Sequence, residues 1–245
     1  MYELTPGKPW REKVIHRFCL QFDGTGCLDG EGPSGIVVDL NNTIFGVTSD
    51  GGLKKDKYAG TLYQLASTGQ KKWTHTVLHY LCEETHCTDG ANPVGLASDS
   101  AGNLFGTAGG GPNCEPRRPC GGIAYKLIPN GSQSQYSVLY DFCAVEDCAD
   151  GNYPQAPLTL DGSGNLFGST LNGGGPDSDL NHRGGGGLFQ LGSSYQVTYA
   201  FCNQEACADG EYPTQLLLDG KGNAFGITIA GGEYEHGGTV FELAP

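Results

Sequence analysis

Pro93-Val-Gly-Leu-Ala-Ser-Asp-Ser-Ala-Gly-Asn-Leu-Phe-Gly-Thr107 reads as two short strands folded about a tight turn. The run after Pro93 is extended, Ser100-Ala-Gly102 is the corner, and Asn103 opens the second strand. A corner of this kind needs a left-handed residue, which Gly102 supplies. Downstream, Ile123-Ala-Tyr-Lys-Leu127 reads as a third strand, Pro129-Asn-Gly131 as a turn and Ser137-Val-Leu-Tyr140 as a fourth. The same order returns four times. Cys27, Cys87, Cys148 and Cys207 fall 60, 61 and 59 residues apart, and each precedes an Asp-Gly pair at 29–30, 89–90, 150–151 and 209–210. Pro33, Pro93, Pro154 and Pro213 follow, and then Phe-Gly at 45–46, 105–106, 167–168 and 225–226. Asp-x-x-Gly-Asn recurs at 99–103, 161–165 and 219–223, and the first copy places Asn42 at the corner, the next-best residue there. No stretch sustains a helical period.

Four meandering strands per unit and four units predict an all-β, four-bladed β-propeller. It would be one domain over 1–245, with units at about 20–80, 81–141, 142–200 and 201–245, the last completed by 1–19. A linear β-solenoid is the other repeat fold, but sixty residues is too long for one coil. Tyr2-Glu-Leu-Thr-Pro6 and Phe241-Glu-Leu-Ala-Pro245 are copies of the same third strand, and Val14-Ile-His-Arg-Phe18 is a fourth strand with no first or second before it. Residues 14–18 are therefore expected to finish the last blade and close the ring as a monomer. One third-strand copy is then redundant, at the outer edge or paired with another molecule. The Gly after each Phe is expected at the crowded axis.

Composition narrows the function classes. Gly is 41 of 245 residues without a Gly-X-Y period, so the chain is rich in turns rather than collagenous. A net charge of -13 excludes a phosphate-binding footprint and hence nucleic acid. No apolar run reaches the roughly 18 residues of a membrane helix. The ten cysteines form close pairs: Cys19/Cys27, Cys82/Cys87, Cys114/Cys120, Cys143/Cys148 and Cys202/Cys207. Zinc sites combine two such pairs with or without His, but here the pairs lie on different units and no His recurs in register. Five local disulfides are expected instead, which places the protein outside the cytoplasm, secreted or at the cell surface. The opening MYELTPGKPW carries no signal peptide.

The stretches Pro93 to Thr107 and Gly238-Thr-Val-Phe-Glu-Leu-Ala-Pro245 resemble the GloVer (Gloeo/Verruco-type) tandem repeat of extracellular bacterial proteins. Met1-Tyr-Glu-Leu-Thr-Pro6, Trp10 and Lys13-Val-Ile-His-Arg-Phe-Cys19 match the piece joining one unit to the next, so the likeness covers the whole chain. It implies a secreted or surface-anchored propeller and carries no established catalytic residues. NHL-type blades are similar in layout, more weakly.

In a four-strand meander, the loops after strands two and four emerge on one face. The cysteine pairs, the Asp-Gly motifs and the unequal Gly-rich loops all fall there, making that face the expected site. Asp29, Asp89, Asp150 and Asp209 at the channel mouth suit Ca²⁺ or another hard cation, or else each closes its own turn. No cofactor is required on either reading. Asp177, Asp179, His182, Glu233, Glu235 and His236 lie in the third and fourth unequal loops, where paired carboxylates with His could run acid–base cleavage of a glycoside. They serve equally as solvated turn residues, and His182 and His236 as metal ligands. Tyr153, Tyr212 and Tyr234 with Arg117, Arg118 and Arg183 suit a sugar, the rings stacking on C–H groups and the polar groups bonding hydroxyls. Three functions follow: an extracellular propeller binding a carbohydrate or cell-surface ligand, a polysaccharide-active hydrolase or lyase, and a structural module assembling through the redundant strand.

Overall fold

A computed structural model of the chain describes residues 1–53, 59–69, 72–112, 121–175, 184–233 and 237–244. A hairpin comes first, β1 (Tyr2–Thr5) paired with β2 (Arg11–Val14). Sheet 1 follows as β3 (Glu31–Val38), β4 (Ile44–Asp50), β5 (Thr61–Ser67) and β6 (Trp73–Tyr80), and sheet 2 as β7 (Ala91–Ser98), β8 (Leu104–Gly110), β9 (Ile123–Ile128) and β10 (Gln135–Asp141). Sheet 3 divides its first strand into β11 (Asn152–Pro154) and β12 (Thr159–Leu160), then continues through β13 (Leu166–Asn172), β14 (Gly187–Leu191) and β15 (Tyr195–Ala200). Sheet 4 is β16 (Glu211–Leu218), β17 (Ala224–Ala230) and β18 (Thr239–Leu243). Every pairing between these strands is antiparallel.

The turns form as their residues dictate. Asp99 accepts the N–H groups of Ala101 and Asn103 at 2.9 and 2.8 Å, and Gly102 turns the corner at φ +82°. Asn42 takes the same corner at φ +57°. Strands of alternating pattern then bury one face against the preceding sheet and the other against the next. Phe45, Val47 and Leu62 of sheet 1 pack on Leu96, Leu104 and Tyr125 of sheet 2. Phe105 and Phe142 of sheet 2 meet Leu158, Leu166 and Phe189 of sheet 3, and Leu188 and Phe201 of sheet 3 meet Leu216 and Phe241 of sheet 4.

A proline-on-glycine contact repeats between successive sheets. A Cβ on Gly60, Gly122 or Gly186 would lie 2.5–2.6 Å from the Cδ of Pro93, Pro154 or Pro213 in the following sheet. Along the first strands, a Cβ on Gly35 would come within 2.6 Å of the Gly95 Cα, and one on Gly95 within 2.9 Å of Pro157. Side-chain hydroxyls reinforce the contact: Thr107 donates to the Ala156 carbonyl at 3.1 Å and Thr159 to that of Leu216 at 3.0 Å.

The Gly of each Phe-Gly lies under a ring of the neighbouring third strand: Gly46, Gly106, Gly168 and Gly226 under Tyr63, Tyr125, Phe189 and Phe241. The expectation that residues 14–18 complete the last sheet needs correction: Val14 pairs with Tyr2 inside its own hairpin, and among the described residues the sheet neighbour of β18 is β17. Phe225 is exposed where Phe45 and Phe105 are buried. Among the described residues no further sheet lies on the fourth.

Gly106→Ala is expected to lower stability by about 1–3 kcal/mol, because its Cβ would meet both the Tyr125 hydroxyl and the Gly95 carbonyl. Gly162→Ala, with nothing near its Cβ, is the matched control and should be close to neutral. Urea unfolding of the two variants checks this.

Candidate functional site

Each fourth strand runs into a short loop closed in two ways. Disulfides Cys19–Cys27, Cys82–Cys87, Cys143–Cys148 and Cys202–Cys207 clip it, while Cys114 and Cys120 lie outside the described residues. The Asp of Asp-Gly then folds back to accept two successive N–H groups of the same loop. Asp29 takes Leu20 and Gln21 at 3.1 and 3.2 Å, and Asp89 takes Glu83 and Glu84 at 2.9 and 3.3 Å. Asp150 takes Ala144 and Val145 at 3.0 and 3.3 Å, and Asp209 takes Asn203 and Gln204, each at 3.2 Å. The glycine loops join from the side, with Gly52, Gly174 and Gly232 donating to the carbonyls of Cys27, Cys148 and Cys207. The disulfide loops and the Gly-rich loops thus form one surface.

The Asp quartet is spent on this clasp. Asp29, Asp89 and Asp150 are buried. Among the described residues, the one set of three His, Cys, Asp or Glu side chains close enough to share an ion is Cys202, Cys207 and Glu211. Its two sulfurs are bonded to each other, so they offer no thiolate. The four carboxylates are distributed around the molecule, one per loop, rather than gathered at one point.

Behind each clasp stands a ring that sequence reading missed. The Tyr140 and Tyr199 hydroxyls donate to Asp150 and Asp209 at 2.8 and 2.9 Å. In the earlier copies the place belongs to His16 and His79, whose Nε2 atoms stand 3.6 and 3.9 Å from Asp29 and Asp89. A second ring from the next sheet stacks on three of them: His75 on His16 at 4.2 Å, Tyr136 on His79 at 3.9 Å and Tyr195 on Tyr140 at 3.8 Å. Tyr136 and Tyr195 also donate to the carbonyls of Asp89 and Asp150. The signal was present: a ring occurs three and seven residues before Cys82, Cys143 and Cys202. Tyr80 is one residue out of register with Tyr140 and Tyr199, and His79 takes the position. Burial makes these histidines harder to protonate. It pushes His75 down to about 4, aided by the neighbouring His16 and opposed by Asp29, and it lowers His16 and His79 as well.

The residue two past each Asp-Gly requires a left-handed backbone. Gly32 and Asn92 fill it at φ +65° and +56°, but Tyr153 and Tyr212 fill it at +61° and +60°. Their N–H groups bond back to the preceding sheet, Tyr153 to Gly121 at 2.9 Å and Tyr212 to Gly185 at 2.6 Å. The Tyr153 ring lies over Gly109, where a Cβ would be 3.2 Å from it and 3.9 Å from the Asn92 amide nitrogen. Both tyrosines are partly exposed, and Glu233 is exposed nearby in sequence to the fourth Gly-rich loop. Asp177, Asp179, His182, Arg183, Tyr234, Glu235, His236, Arg117 and Arg118 lie outside the described residues.

Two outcomes follow from the clasp. His75 is neutral in the fold but binds a proton near pH 6.5 once unfolded, so stability is fully present above that value and falls as pH drops towards about 4. Melting temperatures of wild type and His75→Tyr, which installs the ring type of Tyr136 and Tyr195, should diverge over that interval, with the variant flatter. Asp150→Ala, which strands two N–H groups and the Tyr140 hydroxyl, should cost about 2–3 kcal/mol by denaturant unfolding.

Among solved structures, the chain is similar to one reported as a candidate gluconolactonase (12% identity, TM-score 0.49), covering 97% of this chain and 67% of that one. It is also similar to an inactive variant of virginiamycin B lyase from Staphylococcus aureus with quinupristin (12%, TM-score 0.46, 94% and 59%). A third is the extracellular domain of a candidate one-component system from B. thetaiotaomicron (14%, TM-score 0.49, 85% and 21%). The chain thus spans less than two thirds of the second and third of these. No curated protein matches. Among the described residues no helix is long and apolar enough to cross a membrane, and the disulfides fit an oxidising, extracellular setting. The sixty-residue unit is that of the Gloeobacter/Verrucomicrobia repeat, which matches residues 1–241, and the chain belongs to that family.

Proposed function

We propose that this chain is a secreted, disulfide-braced array of four propeller-type blades, binding a carbohydrate on its loop-rich face, with Tyr153 and Tyr212 as stacking platforms. One observation carries the reading. A position that the first two repeats give to Gly32 and Asn92 holds tyrosine in the last two, at φ near +60°. A bulky residue there costs about 1–3 kcal/mol of backbone strain, and that cost points to a use for the ring on this face. A partly exposed ring on a rigid loop, with the Asn92 amide beside it, matches the C–H face and hydroxyl edge of a pyranose.

The test is a glycan array with wild type, Tyr153→Asn and Tyr212→Asn. Asn is what the second repeat carries, so each variant should keep or slightly raise the melting temperature while glycan affinity falls at least tenfold. Binding to no glycan, or binding unchanged in both variants, overturns the reading. Depolymerisation of a bound polysaccharide, abolished by Asp179→Ala or Glu235→Ala, would instead make the chain a hydrolase or lyase.

A further inference from the structure

The interface between successive sheets occurs three times inside the chain, and each half of it is left open once. On the face that each sheet turns to the next, Val47 and Leu62 are fully buried in sheet 1. Their counterparts in sheet 4 are Ile227, 37% exposed, and Val240, 85% exposed, with Leu217 beside them at 70%. On the opposite face, Leu96, Leu158 and Leu216 are buried against the preceding sheet, while Ile36, at the same point of sheet 1, is 54% exposed. The proline contact shows the same asymmetry. Pro93, Pro154 and Pro213 are buried on glycines, whereas Pro33 is exposed and Gly238, in the matching place of sheet 4, has no proline near its Cβ. Finally, among the described strands β18 has a neighbour on one edge where β5, β9 and β14 have one on each, and β2 pairs with β1.

We propose that the open face of sheet 4 binds the open face of sheet 1 on a second copy of this chain, head to tail. Pro33 of the second copy then sits on Gly238, Ile36 enters the apolar face at Ile227 and Val240, and β2, released from β1, pairs with β18 as its fourth strand. The partner is identified by continuity: the surface on each end is half of an interface whose other half the repeat supplies. Within one chain the halves do not meet: Ile36 and Val240 are both exposed, and among the described strands β18 pairs with β17 and β2 with β1. Such a contact is heterologous, so it extends or closes into a ring of copies rather than stopping at a symmetric pair. It stands independently of the glycan reading.

Analytical ultracentrifugation decides it. Wild type should show a mass that rises above 25.8 kDa with concentration. Val240→Asp blocks one end and Ile36→Asp the other; because both positions are exposed, each variant should fold and remain a single chain when alone. Mixed in equal amounts they should form a 1:1 dimer, since each retains the half that the other lacks. Leu217→Asp replaces Val240→Asp should the latter lose its circular dichroism spectrum. Wild type at single-chain mass throughout, or a mixture that stays monomeric, overturns the proposal.

Discussion

A proline of each repeat rests on a glycine of the repeat before it, and the spacing of the sheets depends on that contact. With Cδ of Pro93, Pro154 and Pro213 pressed where a Cβ of Gly60, Gly122 and Gly186 would be, neither partner tolerates a larger neighbour. The approach of Gly35 to Gly95, and of Gly95 to Pro157, brings the first strands closer than any side chain would allow. At this distance the second-strand hydroxyls reach the next sheet, and Phe45 or Phe105 becomes core. The interior is then built of close-packed face-to-face layers, one per pair of consecutive sheets.

The same spacing converts the connecting loops into a platform. A loop of five or so residues between cysteines would ordinarily be mobile. Here a disulfide, a buried carboxylate and a stacked pair of rings from two sheets act on it together. The carboxylate has a structural duty because it must satisfy N–H groups that no strand can reach. Once the loop is over-determined in this way, the adjacent left-handed position can hold Tyr153 or Tyr212 against its backbone preference. Rigidity from the repeat is what permits variation on its surface.

Much of this was legible in the residues, though unevenly. The hairpin corner at Gly102 and its Asn42 variant were read correctly because turn geometry is a property of four or five consecutive residues. The cysteine pairing was read from proximity in sequence, and the disulfides among the described residues follow it. The need for Gly in Phe-Gly is a ring on the neighbouring strand, Tyr63 or Tyr125, fixed by register rather than by local pattern. That His79 holds the place of Tyr140 is hard to see in the sequence, because imidazole and phenol share a position only after the strands are superposed.

The sequence by itself determined the unit: strand, corner, strand, clipped loop, repeated at sixty residues, because each of these is encoded by neighbours along the chain. Only the tertiary structure decided which copy of a residue is core and which is surface. Leu62 and Val240 occupy one place in the repeat, yet the first is sealed and the second bare, because burial depends on whether another sheet lies opposite. The Asp of Asp-Gly could have faced a cation or its own loop. In the fold each accepts N–H groups of its own loop, which no strand pairs.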